Sequence, residues 1–287
     1  MSTTIITDHP AWRSRTEGYR VRLVEHDGSP WLATLNRARG HLLLQPVGAG
    51  AAEPPALSYT SAITLPPATE QTCSLLDSLV RLGTVVRLTT PSLWDALVAA
   101  ILRQTVSASI ARRKHTAFCS AYGQHFTTPA GELALTPSPE RVLALSVEGF
   151  EAVGTKFNAW ALRSAAEAYL DRGEKWAGLH GERLIAELAS VPGIGPWTAA
   201  ATAADATGDF SVYPHSDLAV RTWAGRAAPG LALPSAESEF AALWREWAPA
   251  PAQLHALTLF TLAYGSDLPE VDQAAHPQTS GRAPAVG

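Results

Sequence analysis

Cysteine is scarce in this chain of 287 residues, which contains only Cys73 and Cys119. Two cysteines this far apart do not have the spacing of a metal-binding motif, and they do not predict a structural disulfide. A four-cysteine iron–sulfur loop is excluded by the same count. The sequence therefore predicts a protein of a reducing compartment whose fold does not depend on sulfur chemistry.

The chain also lacks a long apolar run and a basic-then-apolar pattern at its N-terminus. Its most weakly charged stretch, residues 188–204, is interrupted by Pro192, Gly193, Gly195 and Pro196, so it does not predict a membrane span. We therefore expect an intracellular protein without a membrane partner.

An excess of positive charge is missing too, since the formal net charge is −4. Binding to a polyanion would have to rely on local clusters of cations. Apolar residues make up 46% of the chain and charged residues 17%. These proportions predict a sizeable buried core and exclude global disorder.

The first part of the sequence predicts a small β-containing domain over residues 1–85. Alternating apolar residues flank an Asp27-Gly28 pair, which is typical of a hairpin turn. The first 15 residues lack such a pattern and predict a loose arm. The predicted strands are 19–24, 31–35, 41–45 and one near 62–65.

From about residue 70 the pattern is helical almost throughout. We predict a mainly α protein with a small N-terminal α+β domain, a helical domain over residues 86–268 and a disordered tail over 269–287. The predicted helices are one that begins after Ser92, one that ends at Tyr122, a short one from Pro139, and the segments 156–170, 181–189, 218–224, 236–247 and 252–264.

One segment, residues 188–199 (LASVPGIGPWTA), reads as helix, glycine turn and helix. Pro192 ends the first helix, Gly193 and Gly195 permit a tight turn, and Pro196 suits the first turn of the next helix. Such a turn points backbone N–H groups at a helix N-terminus, where a phosphate can bind. This hairpin therefore predicts a phosphate-binding site.

Asp217 follows the hairpin within residues 212–221 (VYPHSDLAVR). A phosphate-binding hairpin followed about twenty residues later by one carboxylate suggests a catalyst that acts on a nucleic-acid backbone. The alternative is that Asp217 caps the helix starting at Leu218, and both roles are compatible. His215 is close by, and a lone histidine in such a loop is typical of a solvent or phosphate contact.

Three blocks of this chain resemble, in the same order, the motifs of the helix-hairpin-helix DNA glycosylases. Residues 97–107 (LVAAILRQTVS) are similar to the family's helix ending in Gln-x-x-Ser. Val153-Gly-Thr-Lys156 is similar to its Gly-x-x-Lys motif, and the hairpin with Asp217 is the third block. The resemblance covers about 60% of the chain, roughly residues 90–265, and is greatest for the monofunctional alkylbase (3-methyladenine) branch. It implies two helical lobes with an active-site cleft between them.

The resemblance implies that Asp217 is the catalytic carboxylate and that two segments bind DNA. A bulky apolar wedge is typical of the turn after the first block, whereas Thr105 is small, so Arg103 or Gln104 would take its place. The family's hairpins commonly hold Na⁺ or K⁺ through carbonyl oxygens, and no other cofactor is implied. The implied DNA-binding residues are Arg103, Gln104, Thr105, Ser107, Gly193, Ile194, Gly195 and Thr198.

Trp197 occupies the hairpin position at which bifunctional relatives carry a Schiff-base lysine. The resemblance therefore implies no lyase step, and a role for Trp197 against the flipped base rather than in the core. Two aromatic residues usual in the branch are replaced by Ala201 and Ala250, which predicts a wider pocket that tolerates bulkier adducts. The residues assigned to the base pocket are Trp197, Ala201, Trp160, Tyr213 and Trp244.

Taken together, the implied function is a DNA repair glycosylase that excises N3- or N7-alkylated purines from duplex DNA by base flipping and leaves an abasic site. Two alternatives stay open. One is a catalytically silent DNA-binding protein that uses the hairpin for recognition only, and the other is a glycosylase for another damaged or mismatched base. We also expect a monomer in the cytoplasm, associated with a bacterial-type nucleoid.

Overall fold

A computed structural model describes residues 2–15, 18–48 and 53–267. The predicted disordered tail, 269–287, lies outside the described residues. The strands within them are β1 (Thr3–Ile5), β2 (Arg13–Ser14), β3 (Tyr19–His26), β4 (Ser29–Asn36), β5 (His41–Pro46), β6 (Leu57–Ser61), β7 (Thr84–Leu88), β8 (His125–Thr128) and β9 (Gly131–Ala134). The α-helices are α1 (Cys73–Val80), α2 (Leu93–Arg103), α3 (Ala108–Tyr122), α4 (Pro139–Leu143), α5 (Val147–Ala152), α6 (Ala159–Ala177), α7 (Gly181–Ala189), α8 (Pro196–Thr207), α9 (Leu218–Ala227), α10 (Glu237–Trp247) and α11 (Pro251–Asp267). Short 3-10 helices lie at Ala62–Thr64 and Lys156–Asn158.

The hairpin predicted around Asp27-Gly28 is confirmed. Strands β3 and β4 pair antiparallel up to His26 and Ser29, so the turn has two residues. Both turn residues have positive φ, 49° and 70°, which matches the right-handed twist of the flanking strands. Strands β2, β3, β4 and β5 form one antiparallel sheet in that order.

Two local predictions in the N-terminal part are wrong. The first residues are not a loose arm, because β1 pairs in parallel with β7, some 80 positions later. The strand expected near 62–65 lies at β6, and residues 62–64 form a 3-10 helix instead. A pairing between such distant segments leaves no signal in a short window of sequence.

The helical predictions are confirmed more closely. The Ser92 hydroxyl accepts a hydrogen bond from the backbone N–H of Asp95 and caps α2. The Ser107 hydroxyl caps α3, which ends at Gly123 as the sequence indicates. A hairpin of β8 and β9 interrupts the region expected to be helical throughout.

The helices pack around two apolar clusters, with α2 and α8 between them. The first cluster includes Ala100 of α2 together with Ala201 and Ala204 of α8, and it extends to Ile6 of the N-terminal segment. The second includes other faces of the same two helices. Helix α8 is rich in alanine because it is buried on several sides, and small side chains let α2 approach it closely.

The predicted domain boundary between residues 85 and 86 lies inside β7, and the first apolar cluster contains residues from both sides of it. The division into domains and the two-lobed cleft stay predictions. No helix within the described ranges is both long and apolar enough to cross a membrane.

Candidate active site

The hairpin predicted from the glycine-rich segment is formed by α7, a tight turn and α8. Gly193 lies at φ 84°, in the left-handed region that favours glycine. A Cβ at this residue would lie 2.9 Å from the Cβ of Ala161 and 3.1 Å from a ring carbon of Trp160. Gly193 is therefore required both for the turn and for its close approach to α6.

Gly195 has a different role, because it is the N-cap of α8 and faces open space. A Cβ at this residue would meet no atom within 4 Å, and Pro196 follows at the first helical position. In the part of the chain that the structure describes, no acceptor receives the backbone N–H of Gly193 or Gly195. The N–H of Ile194 donates to the carbonyl of Val191, and the Ile194 side chain is buried. The turn thus presents free N–H groups at a helix N-terminus.

Gln104 holds this hairpin against the end of α2. Its side-chain amide nitrogen lies 3.2 Å from the carbonyl oxygen of Gly193 and 2.8 Å from the hydroxyl oxygen of Thr198, donating to both. Thr198 is itself buried. The side chains of Gln104 and Thr198 therefore form their hydrogen bonds inside the protein. This finding corrects their assignment to direct DNA contact.

Asp217 lies at the N-cap position of α9, but its side chain accepts no capping hydrogen bond from that helix. The Tyr213 hydroxyl donates to its carboxylate at 2.6 Å instead. The alternative of a simple helix cap is therefore not realised by the side chain. The Asp217 carboxylate thus accepts a hydrogen bond from Tyr213 and remains partly exposed.

Behind Tyr213 lies a buried chain of charged residues. Arg103 donates to the Tyr213 hydroxyl at 3.1 Å and to Asp205 at 3.1 Å. Asp205 also pairs with Arg87 at 2.6 Å, and Arg87 lies 3.4 Å from a carboxylate oxygen of Asp8. The chain connects β7, α8 and α2 to the Asp217 carboxylate.

The charges of this network fix the direction of its hydrogen bonds. Burial, followed by the nearby Asp217 carboxylate, raises the pKa of Tyr213 well above its ordinary value, so its hydroxyl stays a donor. Burial alone would lower the pKa of Arg103, but Tyr213 and Asp205 raise it above the usual value. Near pH 7 a charged guanidinium therefore supports a protonated phenol.

The sequence analysis assigned Arg103 to the DNA surface and missed Arg87 and Asp205. Arg103 points inward, which removes it as the wedge. One signal could have revealed Asp205, because it is the single charged residue in the alanine-rich helix α8. A lone carboxylate in a buried helix requires a cationic partner.

Of the five residues assigned to the base pocket, two lie at the site. Trp197 is half-buried, with the Arg103 guanidinium 5.5 Å from the centre of its ring, and Tyr213 contacts Asp217. Ala201 is fully buried in the first apolar cluster, so the structure corrects its assignment as a pocket wall. Trp244 is also core, stacked on Phe240. The fifth, Trp160, is 65% exposed, and its ring lies beside Gly193 of the hairpin turn.

The turn between α2 and α3 has Thr105 at its exposed apex, with a positive φ of 56°. Ser107 caps α3, and its hydroxyl also contacts that of Ser109. Sequence analysis assigned this turn to DNA, and Thr105 is its outermost side chain.

The cation suggested for the hairpin carbonyls stays a prediction. The carbonyl oxygens of Gly193 and Val191 each already accept one hydrogen bond within the protein. Among the described residues, no group of three or more His, Cys, Asp or Glu side chains is arranged to hold a metal ion. Burial, followed by the charge of Arg245, lowers the pKa of His215 to about 4, so this neighbour of Asp217 is neutral near pH 7.

The Tyr213 hydroxyl gives a first testable prediction for this site. In Tyr213→Phe the carboxylate loses its donor, and we expect activity that depends on Asp217 to fall about tenfold or more. The ring remains stacked on Phe210, 5.6 Å away, so the fold is retained. Tyr122→Phe is a matched control, because the Tyr122 hydroxyl donates to a backbone carbonyl elsewhere. Equal loss of activity in both variants would show that stability, not the Asp217 contact, matters.

No protein-family model matches the chain. A curated relative from Mycobacterium tuberculosis, described as a probable bifunctional transcriptional activator/DNA repair enzyme AlkA, is 33% identical over 159 residues. The match covers 52% of this chain and only 30% of the relative's length. The same match is found in a second strain of that organism.

Solved structures share the fold over most of the chain. An 8-oxoguanine glycosylase/lyase of Clostridium acetobutylicum bound to duplex DNA has a TM-score of 0.66 and 12% identity, over 90% of this chain and 88% of its own. A 3-methyladenine DNA glycosylase of Archaeoglobus fulgidus has a TM-score of 0.62 and 17% identity, over 88% of this chain and 90% of its own. The 3-methyladenine DNA glycosylase Mag1 of Schizosaccharomyces pombe, in complex with abasic DNA, has a TM-score of 0.53 and 20% identity, over 72% of this chain and 96% of its own.

The predicted mainly α glycosylase fold is confirmed by these neighbours. The chain is thus similar in fold to 3-methyladenine DNA glycosylases and, over about half of its length, in sequence to a probable AlkA, in line with the resemblance noted from its motifs. The fold is shared by enzymes for alkylated and for oxidised bases, so the chemistry of this chain has to be argued from its own residues.

Proposed function

We propose that this chain is a monofunctional DNA glycosylase that hydrolyses the N-glycosidic bond of alkylated purines. The observation that carries the proposal is the environment of the Asp217 carboxylate. This residue follows the hairpin closely in sequence, its side chain caps no helix, and the Tyr213 hydroxyl donates to it at 2.6 Å. A partly exposed carboxylate that is oriented in this way and caps no helix is available to a reacting group.

The hairpin and Asp217 have complementary parts in this mechanism. The free N–H groups of Gly193 and Gly195 and the N-terminus of α8 bind a backbone phosphate near the lesion. The damaged nucleotide leaves the stack, and its base rests against Trp197. Departure of the base builds positive charge on the sugar, which the Asp217 carboxylate stabilises while it orients the attacking water.

An alkylated purine suits a site with one carboxylate. A base alkylated at N3 or N7 is already cationic and leaves without being protonated first, so no separate general acid is required. The sequence-based argument for a wider pocket rested on Ala201 and Ala250; Ala201 is buried and no longer supports it, whereas Ala250 is exposed and does not by itself define a pocket. The substrate proposed is therefore a cationic N-alkyl purine in duplex DNA, without preference for bulky adducts.

The placement of the lysines supports hydrolysis without a lyase step. Trp197 stands where a Schiff-base lysine would be needed. The chain has three lysines, and each already has a partner: Lys114 contacts Asn158 at 3.0 Å, Lys156 contacts Glu151 at 3.1 Å and Lys175 contacts Glu187 at 2.6 Å. None of these pairs includes Asp217 or a residue of the turn between α7 and α8.

We therefore predict that borohydride traps no covalent complex between the protein and abasic DNA. Strand breaks should arise only after the reaction products are heated in alkali, since the abasic site is left intact. The measurement is denaturing electrophoresis with and without each treatment. A trapped complex, or breaks without alkali, would contradict the monofunctional assignment.

Release of free base from defined duplexes tests the proposed function. The panel contains 3-methyladenine, 7-methylguanine, 8-oxoguanine and a mismatched pair, each followed by chromatography of the released base. Release of the methylated purines is the expected result. Release of 8-oxoguanine or a mismatched base alone would favour a glycosylase for another lesion, and binding without any release would favour a silent DNA-binding protein. We further propose that the protein acts in the cytoplasm as a monomer without an essential cofactor.

A further inference from the structure

A groove of about 610 Å³ lies between the N-terminal sheet and α3, and we call it the arginine groove. The N-terminal part of the chain contributes Arg13, Arg15 and Arg20 to its lining, and α3 contributes Arg112 and Arg113. These are five of the 22 lysine and arginine residues in a chain whose net charge is −4. No aspartate or glutamate among the described residues lines the groove. Such a concentration of positive charge indicates an anion-binding surface.

Two of these arginines have guanidinium groups that a ligand can reach. Arg15 and Arg113 are exposed, and within the described part of the chain neither guanidinium has an ion-pair or hydrogen-bond partner. The Arg13 guanidinium donates to the Ser120 hydroxyl at 3.3 Å, which joins β2 to the end of α3. Burial and the neighbouring positive charge of Arg15 lower the pKa of Arg13. Cations that repel one another cost stability, and a bound anion would offset that cost.

The arginine groove follows α3 away from the turn that sequence analysis assigned to DNA. Ser107 caps α3 directly after the Thr105 apex, and Arg112 lies five residues further on, about 7 Å along the helix. On this wall Arg112 and Ser120 are eight residues apart, about 12 Å. Each base pair advances a duplex by about 3.4 Å, so the groove is as long as about three to four base-pair steps. It is also open to solvent, which suits a passing strand better than an enclosed small anion.

The candidate active site offers DNA little positive charge of its own. Arg103 points into the protein, where it bonds Asp205 and Tyr213. Lys114 contacts Asn158 at 3.0 Å. The turn between α7 and α8 presents neutral N–H groups and contains no lysine or arginine. Attraction of a polyanion to an acidic protein therefore requires cations elsewhere on the surface, and the arginine groove supplies them.

We propose that the arginine groove binds backbone phosphates of the duplex arm that flanks the lesion, as a second DNA contact separate from the hairpin. This inference rests on the proposed function. Arg15 and Arg113 donate charge-assisted hydrogen bonds to phosphate oxygens, and guanidinium groups suit this role because two of their N–H groups can bind one phosphate. A contact of this kind reads no bases, so it adds affinity for a duplex of any sequence.

Duplexes with arms of different length test the proposal by binding alone. A tetrahydrofuran abasic-site analogue is placed at the centre of a duplex, or near one end or the other, so that one arm is too short to reach the groove. Wild type should bind one of the two end-placed analogues about tenfold more weakly than the central one, because the contact with the groove is lost.

A double variant shows whether this arm dependence comes from the groove. Arg15→Gln/Arg113→Gln should bind all three duplexes about as weakly as wild type binds the unfavourable one. Its plot of log affinity against log salt concentration should be shallower by about two, one for each lost phosphate contact. The matched control is Arg39→Gln/Arg81→Gln, which removes the same charge from two exposed arginines outside the groove and should bind as wild type. Melting curves of all variants check the fold.

Three results would overturn the inference. One is affinity of the groove variant equal to that of wild type for every duplex, and another is an equal loss in the control variant. The third is a groove variant that loses binding of free tripolyphosphate but keeps wild-type affinity for DNA, since the groove would then be a site for a small anion.

The two proposals fail in different ways. Release of 7-methylguanine by wild type, measured separately, reports on the glycosylase assignment. If wild type releases this base but the groove variant binds every duplex normally, the groove contact is wrong and the glycosylase assignment stands. If wild type releases no base from any lesion but shows an arm-dependent affinity that the groove variant lacks, the groove contact is upheld and the glycosylase assignment fails.

Discussion

Replacing Asp217 by asparagine is expected to reduce base release by about a hundredfold to a thousandfold. The variant is almost isosteric and its amide oxygen can still accept from Tyr213, but the negative charge that stabilises the cationic sugar is gone. Electrostatic groups of this kind contribute about 3–4 kcal/mol to catalysis. Single-turnover release of 7-methylguanine from a duplex, at saturating protein, measures the effect on the chemical step.

Folding and DNA binding should hardly change in this variant, because the Asp217 side chain caps no helix. Asp171→Asn is the matched control, since it removes an exposed carboxylate from α6 and is expected to retain full activity. Should Asp217→Asn keep more than a tenth of the wild-type rate, the catalytic assignment would be wrong. Parallel melting curves and DNA titrations show whether any loss comes from the fold.

Replacing Gly195 by valine is expected to weaken DNA binding about tenfold or more while leaving the fold intact. The backbone at Gly195, with φ −78° and ψ 172°, suits a β-branched residue, and an added Cβ meets no atom within 4 Å. The new side chain instead projects from the N-cap of α8, where a phosphate would approach the N–H groups. The loss should be similar for duplexes of any sequence and should accompany a weaker dependence on salt.

Gly193→Val should differ from Gly195→Val in its effect on stability. A valine at residue 193 would be strained by the positive φ and would clash with the side chain of Ala161. We expect this variant to lose about 1–3 kcal/mol of unfolding free energy from backbone strain, in addition to the clash. Undiminished affinity of Gly195→Val at low and high salt would remove the hairpin from the DNA interface.

Much of the site was predictable because its signals are local. Two glycines and two prolines specify the helix-hairpin-helix within five residues, and Ser92 and Ser107 mark the starts of α2 and α3. Asp217 was recognisable by its position after the hairpin, although its competing role as a helix cap could be decided only from its hydrogen bonds. Each of these signals depends on backbone angles or caps that act over a few residues.

Reasoning from neighbouring residues in the sequence did not predict the partners of long polar side chains. Arg103 and Gln104 were assigned to DNA because they lie on a turn between helices, but Arg103 bonds a residue 102 positions later and Gln104 bonds one 89 positions later. An arginine or glutamine can reach solvent or a buried partner with equal ease. Only the packing of α2 against α8 decides which occurs.

The sequence by itself therefore determined the helical class and the hairpin, and it predicted roles for Asp217 and for the tryptophan at the position of a Schiff-base lysine. The tertiary structure decided that Ala201 and Trp244 are core, that β1 joins β7, that Tyr213 holds the carboxylate, and that arginines of the N-terminal part and of α3 share one groove. The physical reason is the range of each interaction. Turns, caps and helical periodicity are set by neighbours in the chain, whereas burial and hydrogen-bond partners are set by segments that meet only in the folded protein.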